Sequence, residues 1–434
     1  MRRVKPETRN LAVMLVMFLV LAAAVGFARQ QGAVRILPPE PREADVARKS
    51  ADNAFYKLRT ARDLVSKVRV SPVTGQPRPS QASGRNSHQE TQREGLVNED
   101  LAVKEALERY GPAINTARKA LEKPYYLCPD VPNVRENLAE DVDFRGLAHL
   151  LVMRGLERAR EGDAQEAFAD LLDAVRLGRL VASDGPLASF YVGHDMQVDA
   201  LKYVPEAAKR ATSRETLAGA LAGLSEAVST PQPVVLALEF GWRMLDNSVG
   251  LPRQADVPGT RRRRRHRDFV EECKFTWQVR RGQRFIIRYR EHLLEMAALS
   301  YPAYRKWKEN RPEMAGAAHP FCDITGELDS LQVFRASMEA WGAGARLALA
   351  FELFRRDHGA YPSNLEALAE YLTPVPLDPF TEAPYVYRVE GDDYWLYSLG
   401  ENGTDEGGKG GHDDDVVIHQ PEPGVATTSS LKRQ

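Results

Sequence analysis

The 434-residue sequence is poor in cysteine, in net charge and in the short motifs that mark common enzymes. Its three cysteines, Cys128, Cys273 and Cys322, stand far apart, so neither a CxxC zinc site nor a dithiol redox pair is expected. An odd count leaves at least one thiol outside any disulfide. The net charge of -1 gives no overall field that would attract nucleic acid. No GxSxG elbow, Walker A loop, HExxH helix or GxGxxG turn occurs, which favours a non-enzymatic protein.

One apolar run, at residues 11–28, predicts a membrane address. The tail at residues 1–10 carries four basic residues, and no charge follows until Arg29. The run approaches the roughly twenty residues that span a bilayer, and the basic tail favours a cytoplasmic amino end. We therefore expect a single-pass anchor in a bacterial inner membrane with the bulk of the chain extracytoplasmic. The alternative is a signal peptide that is cleaved near Gly26 to Ala28, followed by secretion.

The middle of the chain predicts a helical domain at 45–330, after a spacer at 29–44. Residues 71–94 contain almost no apolar side chains and predict a flexible loop. Apolar spacings of three and four predict helices at 101–122, 144–160, 164–182, 197–211 and 214–228. Asp163 with Glu166, and Thr212 with Glu215, have the spacing of helix capping boxes. The turn at Gly162 is similar to that of a tetratricopeptide-type hairpin, although the repeat period of that family is missing and a generic helical hairpin is favoured.

The basic run RRRRRHR at 261–267 is the sharpest charge cluster in the sequence. Such a run could contact nucleic acid, acidic lipid headgroups or an acidic partner. The near-neutral net charge and the expected location outside the cytoplasm disfavour nucleic acid. A solvated loop or helix start is the favoured interpretation.

Residues 331–420 follow a different pattern, which completes an α+β fold class: a predominantly α-helical domain and a small C-terminal module. A long amphipathic helix is predicted from Leu331 to about Arg356, followed by the phrase DHGAYP and a short helix at 365–371. Two short antiparallel strands are predicted at 385–387 and 394–397, around a turn at 390–393. A loop rich in glycine and acidic residues then occupies 398–415, and a disordered tail is expected at 421–434.

The order of these phrases resembles the globular part of the major pseudopilin of type II secretion systems, over roughly the last hundred residues. The matching residues are Asp357, Gly359, Tyr361, Pro362, Asp378, Pro379, Phe380, Pro384, Tyr385, Tyr387, Ser398, Leu399, Gly400, Asn402, Gly403, Gly407, Gly408, Asp413 and Asp415. The resemblance implies a long helix packed on a small antiparallel sheet, and a calcium site in the loop.

The resemblance implies four calcium ligands: the Leu399 carbonyl, the Asn402 amide oxygen and the carboxylates of Asp413 and Asp415. Oxygen donors of these types are the ligands that calcium prefers. Two departures concern this loop. Asn402 stands where the family usually has aspartate, and the loop is about two residues longer than the family pattern.

The amino end does not match a pseudopilin, because no GFTLxE cleavage phrase precedes the apolar run. A filament subunit is therefore not expected. The sequence predicts a membrane-anchored extracytoplasmic scaffold or interaction protein with protein partners and a calcium-stabilised module. One alternative is an accessory component of a type II secretion or pilus-like machine. Another is an extracytoplasmic hydrolase that uses carboxylates scattered along the chain.

Overall fold

The computed structural model describes residues 47, 50–70, 88–128, 139–185, 187–229, 234–247, 265–310, 324–409 and 415–421. Within these ranges, positions 68–70, 88–103, 139–143, 247, 265–276 and 324–328 are described by their backbone alone. The described chain is mostly helical, with a small three-stranded antiparallel sheet near its carboxyl end. The predicted α+β class is confirmed.

The predicted anchor at 11–28 lies outside the described residues, as do the basic tail at 1–10, the spacer at 29–44 and nearly all of the tail at 421–434. Among the residues that the structure does describe, no helix has both the length and the apolar character that crossing a membrane requires.

The chain order of the elements places long helices before the sheet. The helices are α1 (Ala54–Val70), α2 (His88–Leu121), α3 (Ala139–Arg160), α4 (Ala164–Val181), α5 (Leu187–Leu201), α6 (Val204–Arg210), α7 (Arg214–Ala227), α8 (Val234–Asn247), α9 (Arg265–Ala298), α10 (Tyr301–Glu309) and α11 (Ile324–His358). A short 3₁₀ helix (Glu366–Glu370) then leads to β1 (Val386–Glu390), β2 (Asp393–Ser398) and β3 (Val416–His419).

The sequence pattern located α4 well, and its predicted cap is present. Asp163 accepts the backbone N–H of Glu166, which satisfies one of the open donors in the first turn. The cap of α7 was assigned one residue too early, because Ser213 rather than Thr212 accepts the Thr216 N–H.

One helix prediction and one loop prediction were wrong. The single helix at 197–211 is instead the end of α5 and a separate α6, since the chain turns at Lys202 and restarts with Pro205 in the first turn. The flexible loop at 71–94 was too long, because α2 already begins at His88; residues 71–87 lie outside the described residues.

Helices α4 and α5 cross closely at a pair of glycines. A Cβ atom on Gly178 would lie 2.6 Å from the Gly193 carbonyl oxygen, and one on Gly193 would lie 2.4 Å from that of Gly178. Carbon atoms cannot approach oxygen so closely, so any larger residue at either position forces the two helices apart. The glycines therefore fix the distance between the helices at this crossing.

A buried carboxylate holds α2, α3 and α4 together. Asp170 of α4 is 0% exposed. Its two oxygens accept bonds from Arg118 of α2 at 2.7 Å, from Arg154 of α3 at 2.5 and 2.9 Å, and from Arg158 of α3 at 2.8 Å. Charge-assisted bonds of this kind compensate for the cost of burying the carboxylate.

Replacing this carboxylate should destabilise the protein strongly. Asp170→Ala leaves three guanidinium groups without their shared acceptor, so we expect the free energy of unfolding to fall by about 3–5 kcal/mol. Urea denaturation followed by circular dichroism measures the change. Asp63→Ala is the matched control, because Asp63 is exposed and, within the described chain, pairs with its neighbour Arg62 alone, so that a loss of at most about 1 kcal/mol is expected. Equal losses in the two variants would contradict a central role for Asp170.

The sheet packs against the carboxyl-terminal half of α11. Its strand order is β1-β2-β3, and the register places Val386 opposite Tyr397 and Ser398 opposite Val416. Ile418 of β3 packs directly on Gly344 of α11. A Cβ atom added at Gly344 would lie 2.5 Å from the Ile418 side chain. The strand therefore lies directly on the helix.

Polar contacts also fasten the sheet to the helical domain. Lys209 of α6 donates to both carboxylate oxygens of Asp393 at 2.6 Å, and the Nε2 atom of His419 lies 2.9 Å from Asp393 Oδ1. A further ion pair, between Arg214 of α7 and Asp357 at 3.0 Å, joins α7 to the end of helix α11, against which the sheet packs. We call Lys209, Asp393 and His419 the junction triad.

The junction triad predicts a loss of stability in mild acid. Burial lowers the pKa of His419, the Lys209 ammonium lowers it further, and the Asp393 carboxylate offsets part of this. Since the folded protein favours neutral His419, its contribution to stability is present above the ordinary histidine pKa and is lost as pH falls through the lowered value. Between about pH 7 and pH 5, the wild-type free energy of unfolding should therefore fall relative to that of His419→Gln.

Chemical denaturation at stepped pH values measures this difference. His358→Gln serves as the control, because His358 is exposed at the end of α11 and bonds only to the Phe354 carbonyl. Parallel pH profiles for wild type and His419→Gln would show that the junction triad does not carry the acid sensitivity.

Candidate functional site

The loop at 398–415, which we call the glycine–acid loop, connects β2 to β3 and turns through glycines with positive φ. These are Gly400, Gly403, Gly407 and Gly408, with φ of 61°, 68°, 81° and 78°. Glycine adopts such angles without the penalty that a Cβ atom would bring. At Gly408 a Cβ would also lie 2.8 Å from the Trp395 ring. The loop is therefore folded tightly back over the sheet.

A buried aspartate fixes the start of the loop. Asp378 Oδ1 accepts the Phe380 N–H and the Ser398 hydroxyl, both at 2.9 Å, and Oδ2 accepts the Leu399 N–H at 3.1 Å. Asp378 belongs to the segment PVPLDPF, which lies far from the loop in sequence. The two segments are thus held in one fixed arrangement.

Two carboxylates in the loop have a buried oxygen without a hydrogen-bond donor. Asp415 is only 3% exposed; its Oδ2 accepts the Gly408 N–H at 2.8 Å, while its Oδ1 has no hydrogen-bond partner among the described residues, which leave out 410–414. Glu406 Oε1 accepts the Asn402 amide at 2.9 Å, while its Oε2 is buried and has no partner in the same described part of the chain. Buried oxygens of this kind usually have a donor or a cation beside them.

The electrostatics of the loop also favour a cation. Burial raises the pKa of Asp415, and the carboxylates of Glu406 and Asp405 raise it further, against the lowering effect of the Gly408 N–H. Asp405 is held in place by the Tyr397 hydroxyl at 2.9 Å and the Gly407 N–H at 2.8 Å. Three carboxylates that repel one another across a short loop are stabilised by a bound positive ion.

The four calcium ligands predicted from the sequence have different surroundings in the structure. Asp415 is buried in the loop as described, whereas Asp413 lies outside the described residues. Leu399 is anchored through its N–H to Asp378. The Asn402 Oδ1 atom accepts the Thr404 N–H at 2.7 Å and so closes a local turn.

Sequence reasoning missed Glu406 as a carboxylate with a buried oxygen and Asp378 as the anchor of the loop. The signal for Glu406 was its position directly before the Gly407–Gly408 pair, which turns the chain back toward Asp415. Nothing in the local sequence connects Asp378 with Ser398, because their contact depends on how two separate loops pack.

The described part of the loop offers an incomplete ligand set. Among the described residues, no three histidine, cysteine, aspartate or glutamate side chains converge closely enough to hold a metal ion. Calcium takes six to eight oxygens, many of them from backbone carbonyls and water. Asp415 and Glu406 can supply carboxylate oxygens, and Asp413 and Asp414 follow in the sequence between Lys409 and Asp415.

An open groove of about 490 Å³ adjoins the glycine–acid loop. It is lined by Tyr301, Tyr304, Arg305, Lys308 and Glu309 of α10, Asp329 and Val333 of α11, and Glu401 and Asn402 of the loop. Tyrosine rings and charges of both signs thus face one another across the groove.

Asp329 is the most perturbed carboxyl group in the groove. Burial raises its pKa to about 6, and the Glu401 carboxylate adds to the rise, although the Lys308 ammonium lies 2.5 Å from Oδ2. The Tyr304 hydroxyl donates to Oδ1. Both oxygens are therefore engaged within the protein.

A second open groove, between α3 and α5, is lined mainly by paired charges. Arg145 lies 2.8 Å from Asp195, and His149 lies 3.0 Å from Asp199. Lys202 also contacts Asp199 at 2.5 Å. These groups satisfy one another, which is typical of a solvated charged surface.

Comparison of the chain with protein-family models, with curated proteins and with solved structures gives no match.

Proposed function

We propose that the protein is a membrane-anchored, extracytoplasmic scaffold or interaction protein whose C-terminal module is stabilised by calcium. The observation that carries this proposal is the glycine–acid loop, in which Asp415 and Glu406 each present a buried oxygen that has no donor among the described residues. The resemblance to the major pseudopilin, in which the corresponding loop binds calcium, supports the same reading.

Calcium suits this loop for chemical reasons. It is a hard cation that prefers carboxylate and carbonyl oxygens and tolerates irregular geometry. Asp415 and Glu406 would hold it through their unpartnered oxygens, and Asp413 is the further ligand that the resemblance implies. The bound ion would remove the repulsion among the loop carboxylates and hold β3 beside β2.

The groove beside the loop supports an interaction role. Its tyrosines offer rigid, amphipathic contact area, and its arginine, lysine and carboxylate groups offer donors and acceptors. Glu401 and Asn402 belong both to the groove and to the loop, so an ion in the loop would order one wall of the groove. A polypeptide partner with charges of both signs fits this chemistry.

The location of the protein is part of the proposal and depends on residues 11–28. The basic tail and the apolar run support an inner-membrane anchor with the helical domain and module on the outer side. A bound partner would then be held at a fixed site close to the membrane.

Calcium should raise the melting temperature of the protein. Binding to the folded state alone stabilises it by mass action, and at a calcium concentration of about 100 times Kd the gain is about 2.7 kcal/mol. Thermal melts of the detergent-solubilised full chain with calcium and with chelator measure this. The shift should disappear in Glu406→Gln/Asp415→Asn.

Asp392→Asn is the matched control, because Asp392 is an exposed aspartate in the β1–β2 turn, outside the glycine–acid loop. Its calcium shift should equal that of the wild type. A melting temperature that is the same with calcium and with chelator would remove calcium from the proposal.

A photoreactive residue in the groove tests the interaction role. Placed at Glu309, it should form a discrete adduct with another protein in intact cells, and chelator should weaken that adduct. The same residue at Lys119, an exposed position on α2, should not form the adduct. Mass spectrometry identifies the partner. Inner-membrane secretion proteins would favour the accessory role, and equal adducts at both positions would contradict a binding groove.

A further inference from the structure

The exposed face of α9 combines arginines with unusually exposed apolar side chains. Trp277 is 58% exposed and Ile287 is 41% exposed, which are large values for residues of these types. Arg281, Arg284 and Arg288 are exposed on the same helix. We call these five residues the α9 face.

The spacing of the α9 face places most of it on one narrow stripe. Trp277, Arg281, Arg284 and Arg288 follow one another at intervals of four, three and four residues, which keeps them on one side of a helix. The stripe is about 16 Å long at the helical rise per residue. Val279, Ile286 and Leu293 lie on the opposite side and are buried. The helix therefore has one side in the core and a basic side in solvent.

The arginines of this stripe have not been neutralised by neighbours that the structure describes. Arg281 lies over the Trp277 ring at 5.4 Å, and Arg288 lies over the Tyr289 ring at 5.5 Å. Among the described residues, none of the three guanidinium groups of the α9 face forms a salt bridge, whereas arginines elsewhere, such as Arg154 and Arg158, do. Their charge remains available to an external anion.

We propose that the α9 face docks on the anionic phospholipid headgroups of the membrane to which the chain is tethered; this rests on the proposed anchor. An amphipathic helix with arginines and a tryptophan on its outer side is suited to a headgroup layer. The arginines pair with lipid phosphates, and Trp277 and Ile287 enter the boundary with the acyl chains. In the sequence, the basic run RRRRRHR at 261–267 overlaps the first residues of the same helix, Arg265–Ala298; its side chains lie outside the described part of the chain.

A membrane surface fits better than a nucleic acid or an acidic protein. The protein has a net charge of -1, so it has no long-range attraction for anions. The attraction of a short basic stripe is screened by salt within about 10 Å, so it acts only on an anionic surface that the anchor holds nearby. The phosphate backbone of a nucleic acid offers no apolar surface that could cover the exposed isoleucine beside the arginines. Glu291 continues the stripe toward the carboxyl end of α9, which limits the contact to the part of the helix before it, where the α9 face lies.

Tryptophan quenching in vesicles tests this docking. The full chain is reconstituted into phosphatidylcholine vesicles, with and without phosphatidylglycerol, that contain lipids brominated near the headgroup. The wild-type signal minus that of Trp277→Phe isolates Trp277. We expect Trp277 to be quenched in the anionic vesicles and to be released by high sodium chloride.

The triple variant Arg281→Gln/Arg284→Gln/Arg288→Gln should lower the docking equilibrium constant by roughly 100-fold, at about 1 kcal/mol for each arginine near an anionic surface. The control Lys119→Gln/Lys306→Gln/Arg388→Gln removes the same charge from other exposed sites and should dock like the wild type.

Flotation of the protein with neutral vesicles shows whether the anchor inserts into a membrane, and this measurement does not depend on docking of the α9 face. A protein that floats but shows no Trp277 quenching in anionic vesicles would overturn the proposal and leave the anchor intact. Equal quenching in neutral vesicles, or equal loss in the two triple variants, would also overturn it. So would binding of duplex DNA that depends on the three arginines when the vesicles give no quenching.

Discussion

The structure depends on one stretch of helix α11 that is buried on every side. Five consecutive residues of α11, from Leu347 to Phe351, are each no more than 1% exposed. A helix that is apolar all round must be covered all round, because any open side would leave its apolar surface in water. Helices α5, α6 and α7 cover one side, and strands β2 and β3 cover the other. The helical domain and the sheet therefore share one core.

Polar interactions set the orientation of the sheet over this core. Apolar packing alone is not directional, whereas an ion pair fixes two groups to within a few tenths of an ångström. Lys209 pairs with Asp393 of β2 and Arg214 pairs with Asp357 near the end of α11, so the α6–α7 region is joined both to the sheet and to the helix beneath it. These ion pairs help to hold the glycine–acid loop and the groove of α10 in one fixed arrangement. A cation in the loop and a partner in the groove would thus act on a preformed framework.

Local sequence predicted the elements that carry their own signals. The cap at Asp163 and the regular apolar spacing of α4 sufficed to locate that helix, and the glycine-rich acidic stretch marked the loop. Helix α9 was missed because the buried positions between Val279 and Ile286 are Gly282 and Gln283, so the apolar spacing of three and four residues is interrupted there. Helix α5 was misplaced because apolar residues surround it, so no single stripe marks where it begins.

Long-range contacts account for most of what the sequence could not predict at the candidate site. Lys209 and Asp393 are 184 residues apart, and Asp378 and Ser398 come from separate loops. Neither pair has a local spacing that would identify it. The burial of one Asp415 oxygen likewise follows from the return of the chain onto the sheet. A short stretch of sequence does not predict that packing.

The position of α11 between the helical domain and the sheet also affects how the chain folds during synthesis. A chain grows from its amino end, and domains generally fold as they emerge. Helices α5 to α7 emerge more than a hundred residues before the sheet that closes the far side of α11. Until α11 arrives, their inner apolar surfaces have no cover. The native core can therefore close only when synthesis of the C-terminal segment is nearly complete, and a prematurely terminated chain would expose apolar surface to chaperones and proteases.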